Sequence, residues 1–285
     1  MNTPPRIAQW LLGVSGVILL AWLLWQLYQW GWHNAVWHAD PQACRATGHQ
    51  GACWGVVAEK AHLMLWGHPA DDRLGGLPLT LALFAGSWAA SWPLGVMLAL
   101  ARRARTRWLR APAVVLIEGI RGVPLVTLLF AAAFLLPMLW SGFSDWGLAW
   151  RAGLAMTLFS SVYLAEVLRG GLQAVPVEQC EAASTLGLGW WGTQRRIVLP
   201  QAVRAVLPAL TGHTIGLLKD SSLVMVIGLH ELTGGLGLAL GGDPIWRPYY
   251  FEAYLFVGLV YACLCLLLSQ LGRTLERLWP GTLSI

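Results

Sequence analysis

The chain has 285 residues, of which 56% are hydrophobic and only 12% are charged. Soluble domains carry about 25% charged residues, and the mean hydropathy here is +0.57. A soluble all-α protein with an outsized core is therefore disfavoured, and an all-α integral membrane protein is expected. Lys and Arg number 19 against 14 Asp and Glu, a formal charge of +5. That excess lies in short segments between apolar runs, which argues against nucleic-acid binding and for orientation in a membrane.

Charge-free runs cover 7–39, 74–101, 122–144 and 253–272, and shorter ones cover 152–165 and 205–218. A helix needs about 20 apolar residues to cross the hydrocarbon core, so about six transmembrane helices is the economical count. The first, Ile7 to Tyr28, is too long and too rich in Trp for a signal peptide, lacks a small-residue cleavage site, and is expected to be retained. Residues 102–110, RRARTRWLR, hold five arginines and no acid, and are expected on the cytoplasmic side. Counting from there puts both termini inside, about 30–75, 140–150 and 231–252 outside, and 170–203 inside. Arg169, Arg195, Arg196, Arg204, Arg273 and Arg277 add to the inner side, while the large outer loop sets Arg45, Lys60 and Arg73 against Asp40, Glu59, Asp71 and Asp72. Trp30, Trp108, Trp140, Trp150, Trp190 and Trp279 fall near expected span ends, where indoles favour the interface.

Cys44 and Cys53 lie in the outer loop, Cys180 on the inner side, and Cys263 and Cys265 in the last span. The outer pair could form a disulfide if that compartment is oxidising, two free thiols being the alternative. Loss of such a bridge is expected to weaken the loop more than the core, because few apolar contacts are expected there. No spacing suggests a metal or cofactor. The two lysines, Lys60 and Lys219, follow Glu59 and Leu218, so no Gly-Lys dipeptide and no phosphate-binding loop of the Walker type exist. His213 and His230 read as hydrogen-bonded packing residues.

Residues 175–200 are polar and turn-bearing. Val175-Pro176 begins a helix, and Glu178 and Glu181 suit its early turns. Ala182, Ala183 and Leu186 offer a small apolar face, and Gly187 sits where a helix ends with positive φ. After Gly187-Leu188-Gly189, a second short helix from Trp190 to Leu199 carries its tryptophans toward the interface and Arg195 and Arg196 toward water or headgroups, and Pro200 closes it. The result is a helical hairpin, either an interfacial anchor or a docking knob. Within the spans, Glu166 and Lys219-Asp220 each follow fourteen uncharged residues. They read either as an ion-pair lock or as a polar wall of a translocation path.

The spacing of Glu181-Ala182-Ala183, Gly187, Ile197 and Leu199-Pro200 matches EAA-x3-G-x9-I-x-LP at every position and resembles the EAA loop of ABC importer membrane subunits. Arg121-Gly122-Val123-Pro124-Leu125, Tyr163-Leu164-Ala165-Glu166 through Arg169-Gly170-Gly171, and Lys219-Asp220-Ser221-Ser222-Leu223 resemble, in that order, elements of the histidine/glutamate/glutamine/arginine/opine permeases. Gly51 to Lys60 and Thr127 lean toward general L-amino acid importers, and Glu178 departs from a glycine common in relatives. The resemblance covers about 77–273. It implies the five-helix type I importer core plus one N-terminal helix, divided as 1–75 (helix and periplasmic loop), 76–275 (permease core with its coupling hairpin at 175–200) and 276–285 (cytoplasmic tail). It further implies a transport subunit that is not itself an enzyme, in the bacterial inner membrane. Glu181, Ala182, Ala183, Gly187, Ile197, Leu199 and Pro200 would dock a separate cytoplasmic ATPase dimer. A second homologous permease subunit or a copy of this chain, a periplasmic amino-acid-binding protein and membrane lipid are the other implied partners. A secondary transporter or channel without an ATPase is the alternative; it would show paired halves, which are absent. A membrane-embedded enzyme would need a deep catalytic pair, for which only Glu166 and Lys219-Asp220 are candidates.

Overall fold

The computed structural model describes residues 6–48, 50–67 and 74–278; Asp71, Asp72, Arg73, Trp279 and the rest of the expected tail from 279 lie outside the described residues. Among the described residues the chain is helical and has no strand. An apolar helix α1 (Arg6–Tyr28) leads to two short helices, α2 (Pro41–Thr47) and α3 (Gly55–Trp66). The bundle then comprises α4 (Gly76–Arg102), α5 (Arg107–Arg121), α6 (Leu125–Phe130), α7 (Leu136–Leu139) and α8 (Leu148–Ala174). A hairpin, α9 (Val177–Thr185) and α10 (Trp190–Thr193), follows, and then α11 (Leu199–Asp220), α12 (Leu232–Gly241) and α13 (Tyr250–Leu278). Because α13 runs through Leu278, the tail expected from 276 begins inside that helix.

The centre is the seam between α4 and α8. Along α4, Leu79, Leu83, Ser87, Ser91, Gly95 and Ala99 recur every four residues and are all buried. Opposite them α8 buries Ala152, Ala155, Met156, Ser160, Ser161, Leu164 and Ala165. Small side chains let the backbones approach: a Cβ added at Gly95 would stand 2.9 Å from the Leu164 side chain and 3.1 Å from the Ser161 carbonyl. Ser87 Oγ donates across the seam to the Gly153 carbonyl at 3.2 Å. α11 joins on the far side, where Ser160 Oγ and His213 Nε2 are 3.0 Å apart and Trp88 Nε1 donates to Thr214 Oγ1 at 3.1 Å.

Three helices, Gly76–Arg102, Leu148–Ala174 and Arg247–Leu278, are long and apolar enough to cross a membrane; α5 with Leu125–Leu139 makes a fourth if that pair, bent by 104°, is one span. The expected third span thus covers only Leu125–Leu139, because Gly122 and Pro124 break the chain away from α5. Between α6 and α7, Ala131–Leu135 is wound as a π-helix. Pro137 has no N–H to offer the Ala133 carbonyl four residues earlier, and Arg151 Nη1 from α8 donates to that carbonyl instead. The count of about six draws further on α1 and on α11, which is 22 residues long and carries Arg204, Lys219 and Asp220.

The segment expected as the outer loop is a folded cap, contrary to the expectation of few apolar contacts. Asp40 caps α2 by accepting from the Gln42 and Ala43 amides at 2.9 and 3.2 Å. Cys44 and Cys53 are disulfide-bonded, with Cα atoms 5.5 Å apart. Both cysteines, Val56 and Met64 are buried in one core with Leu232, Leu236, Leu240, Trp246, Ala253 and Val257. The Cys53 amide donates to buried Glu252 at 3.1 Å, Trp30 packs edge-on against Phe251, and Lys60 Nζ lies 2.7 Å from Asp243. Sequence periodicity could not pair these residues, since their partners lie in the last third of the chain.

Two outcomes are expected. A Cβ at Gly272 would collide with the Thr211 side chain, so Gly272→Ala should cost about 1–3 kcal/mol by overpacking. The loss would be read as a lower unfolding temperature in detergent, most of it recovered by adding Thr211→Ala. At the cap, the hydrogen bond with Asp243 holds Lys60 above its ordinary 10.5, and the same bond holds Asp243 below its ordinary 3.8. A depressed carboxylate stabilises the fold above its ordinary value and loses that contribution as pH falls through the folded one; a raised amine is the mirror case. The protection of α3 amides, exchange being compared with its intrinsic rate at each pH, should therefore be flat through neutrality and fall below 3.8 and above 10.5, and Asp243→Asn should abolish the acid limb.

Candidate functional site

The hairpin is built by local rules. Pro176, at φ −59° and ψ 142°, is extended and precedes α9 rather than occupying its first turn, and Glu178 stands in that turn. α9 ends at Gly187, whose φ of +75° only glycine adopts cheaply. The Leu188 amide reaches back to the Ala183 carbonyl at 3.1 Å and the Gly187 amide to Ser184 at 3.0 Å, which satisfies the helix's last carbonyls. Glu181, Ala182, Leu186 and Gly187 are exposed, as are Trp190 and Trp191, which meet edge-on with centroids 4.5 Å apart. Ala183 is buried at the inner side, so the structure separates it from the exposed face. Ile197 and Pro200 are half-buried and Leu199 is exposed at the hairpin's base.

The second arm differs from the expected short helix. α10 passes through a π-wound stretch, Gln194–Val198, directly into α11, with helical backbone at Thr193, Val198 and Leu199. Pro200 does not close it. The proline lacks the N–H that would bond Arg196, and the π winding just before it absorbs the mismatch.

Glu166 sits where α4, α5 and α8 meet. Its carboxylate accepts from Arg169 Nη2 at 2.8 Å and Nε at 3.1 Å. Arg102 Nε stands 3.3 Å away and Arg121 Nη1 3.8 Å away. Arg102 also pairs with Glu118 at 2.7 Å, Arg169 with Gln173 at 2.7 Å, and the Arg121 guanidinium lies 5.7 Å above the Tyr163 ring. The sequence singled out Glu166, and placed Arg121 and Arg169 in family motifs and Arg102 among the orientation charges, without bringing the three arginines to that carboxylate. Lys219 and Asp220 are elsewhere, and neither makes an ion pair with the other or with Glu166. Lys219 lines a cavity of about 240 Å³ with Ser222, Thr233, Tyr254 and Tyr261.

Glu231 was missed altogether. Fully buried, it caps α12 by accepting from the Thr233 and Gly234 amides at 2.9 Å each. Its other oxygen meets Tyr261 OH at 2.8 Å and Thr80 Oγ1 at 3.2 Å, tying α4, α12 and α13. The only sequence signal was an acid directly before a glycine-rich apolar run.

Long apolar helices, a bent short span and an exposed hairpin between helices define a polytopic membrane protein. More narrowly, the chain belongs to the family described as binding-protein-dependent transport system inner membrane component, whose sequence model matches residues 91–279. It is 39% identical over 247 residues to the inner membrane amino-acid ABC transporter permease protein YhdY of Escherichia coli, covering 83% of this chain and 67% of that one. It is also 39% identical to the glutamate/glutamine/aspartate/asparagine transport system permease protein BztC of Rhodobacter capsulatus, spanning 73% of this chain and only 48% of that relative. The octopine transport system permease protein OccM of Rhizobium radiobacter is 35% identical, with 73% and 86% covered. Among solved structures, an amino acid ABC transporter crystallised with histidines superposes with a TM-score of 0.61 at 32% identity, covering 71% of this chain and 91% of that one. An inward-facing MetNI methionine ABC transporter, at 19% identity and a TM-score of 0.57, shares the fold.

Glu166→Gln keeps the shape but loses the charge that three arginines share. It should cost about 1.5–3 kcal/mol, the worth of hydrogen bonds to a charged group, seen as a lower unfolding temperature. A variant with unchanged stability and altered substrate preference would instead place Glu166 on the substrate's route.

Proposed function

We propose that the chain is the membrane-spanning permease subunit of an ATP-driven importer that moves amino acids from the periplasm to the cytoplasm. In this reading it is a multi-pass protein of the bacterial inner membrane with both termini cytoplasmic. A separate ATPase dimer docks on the 175–200 hairpin and supplies the energy, consistent with the missing phosphate-binding loop. A periplasmic amino-acid-binding protein delivers substrate, and a second homologous permease, or a copy of this chain, completes the channel. The names of the relatives, all amino-acid or octopine permeases, support the substrate class.

The observation that carries the docking reading is the exposed hairpin turned at Gly187, with Glu181, Ala182 and Leu186 free on its outer face. Small residues there permit close approach of a partner, and Glu181 can pair with a basic groove. Lys219 and Asp220 are assigned to the polar wall of the path, where lysine meets an α-carboxylate and aspartate an α-ammonium. Glu166 acts there through the helices its arginines hold.

The test is co-purification with a co-expressed ATPase, followed by uptake competition among labelled L-amino acids. A Cβ at Gly187 meets nothing within 4 Å, so Gly187→Val acts through backbone strain alone, about 1–2 kcal/mol. It should insert normally yet lose uptake about tenfold or more. Glu181→Lys should weaken ATPase association by roughly tenfold, about 1.4 kcal/mol. Full uptake and full ATPase retention in both variants would leave a secondary transporter or channel as the better reading.

A further inference from the structure

Helix α5 was legible only as part of an arginine-rich loop, and the structure buries one side of its later turns while leaving its first turns exposed. Ala113 and Ile117 are buried, with Ile120 half-buried beside them, against Ala99 of α4 and Val162 and Ala165 of α8. Other apolar side chains are uncovered: Trp108 is 88%, Val115 72% and Leu109 61% exposed. Arg107 and Arg110 are exposed in the first turn of the helix, and exposed Arg103 and Arg105 lie in the turn just before. None of these four arginines makes an ion pair among the described residues. The one acid between 102 and 121, Glu118, is already taken by Arg102.

The direction of α5 decides what covers it. It stands at 104° to the spanning segment that follows, so it runs along the membrane plane. A helix so placed, with an indole among exposed arginines, sits at the headgroup level. Guanidinium forks match phosphate oxygens in paired hydrogen bonds. We propose that residues 103–116 form an in-plane binding site for anionic phospholipid. Arg103, Arg105, Arg107 and Arg110 hold the phosphates, while Trp108, Leu109 and Val115 enter the acyl boundary. The helix is tied at its C-terminal end to the Glu166 cluster, by Arg121 and through the pair of Glu118 with Arg102 of α4, and passes through Gly122–Pro124 into the bent span. Acidic lipid therefore holds the elbow of that span. This inference rests on the proposed topology, in which α5 faces the cytoplasmic leaflet.

The experiment uses the assembled transporter in nanodiscs of phosphatidylglycerol and phosphatidylcholine, and counts retained lipid by mass spectrometry after detergent extraction. The parent should retain phosphatidylglycerol over phosphatidylcholine. Each Arg→Gln change at 103, 105, 107 and 110 should lower that retention about fivefold, the worth of one basic residue at an anionic surface, and Arg→Lys should preserve most of it. Equal retention of the two lipids by the parent, a comparison that needs no variant, would overturn the proposal. So would displacement of the lipid by excess inorganic phosphate, which would mark a free-anion site. Loss of the ATPase from the Gln variants in lipid-free detergent would likewise overturn it, by making the arginines a protein-docking face. Amino-acid uptake by the parent, scored separately in phosphatidylglycerol vesicles, tests the transport reading and leaves the lipid result standing either way.

Discussion

Lipid tails are as apolar as leucine, so helices in a bilayer gain little by burying apolar side chains against one another. They are held by close approach and by hydrogen bonds between them. The α4–α8 seam meets that constraint with Ser87, Ser91, Gly95 and Ala99 at four-residue spacing on α4, after Leu79 and Leu83. The rest of the bundle takes its register from it. At one end of the seam α4 supplies Arg102 and α8 supplies Glu166 and Arg169. At the other end α4 supplies Thr80 to the Glu231 cap that fixes α12 and α13. A slip of one residue along the seam would turn both clusters away from their partners at once.

Two prolines, at 137 and 200, act by the same chemistry in different settings. Each removes the N–H owed to the carbonyl four residues earlier, and each is preceded by a π-wound stretch. At Pro137 the freed carbonyl belongs to buried Ala133, and Arg151 is spent on it. At Pro200 the winding joins the hairpin to α11 without a break. α11 then runs on through an internal proline, Pro208, to Lys219-Asp220 at its far end.

Features set by neighbours in the chain were legible in the sequence. The first helix, the apolar runs and the turn at Gly187 follow from length, composition and the conformational freedom of one residue. Features set by distant partners were not. Glu166 meets Arg102 and Arg121, which lie on two other helices. The cap's core draws on Leu232, Leu236, Trp246 and Ala253, which local pattern assigned to other segments. Trp30 matched an interfacial indole but is packed between Trp54 and Phe251. α5 was hidden for another reason: a count of arginines registers sign but not the positions, Ile117 and Ile120, that seat a helix against α4 and α8.

The distribution of satisfied charge bears on where a substrate could pass. Isolated charges at membrane depth cost about 2.5–3.5 kcal/mol on insertion scales and persist only with a partner or in a wet cavity. Glu166 has three guanidinium groups around it, and Arg151 has a backbone carbonyl. Glu231 has amides, a tyrosine and a threonine. Glu166 and Glu231 are consumed by the structure itself and leave nothing to offer an amino acid, whereas Arg151 keeps a buried Nε without a partner among the described residues and lines an apolar cavity of about 250 Å³. Lys219 is different. It has no ion pair among the described residues, and it faces a cavity whose other polar groups are the hydroxyls of Ser222, Thr233, Tyr254 and Tyr261. Adjacent residues on a helix point about 100° apart, and Asp220 does not line that particular cavity. Hydroxyls accept from an ammonium group without neutralising it, so the cavity keeps a positive charge that an α-carboxylate could complete. For that reason Lys219, rather than Glu166, is the stronger of the charged residues for the substrate's path.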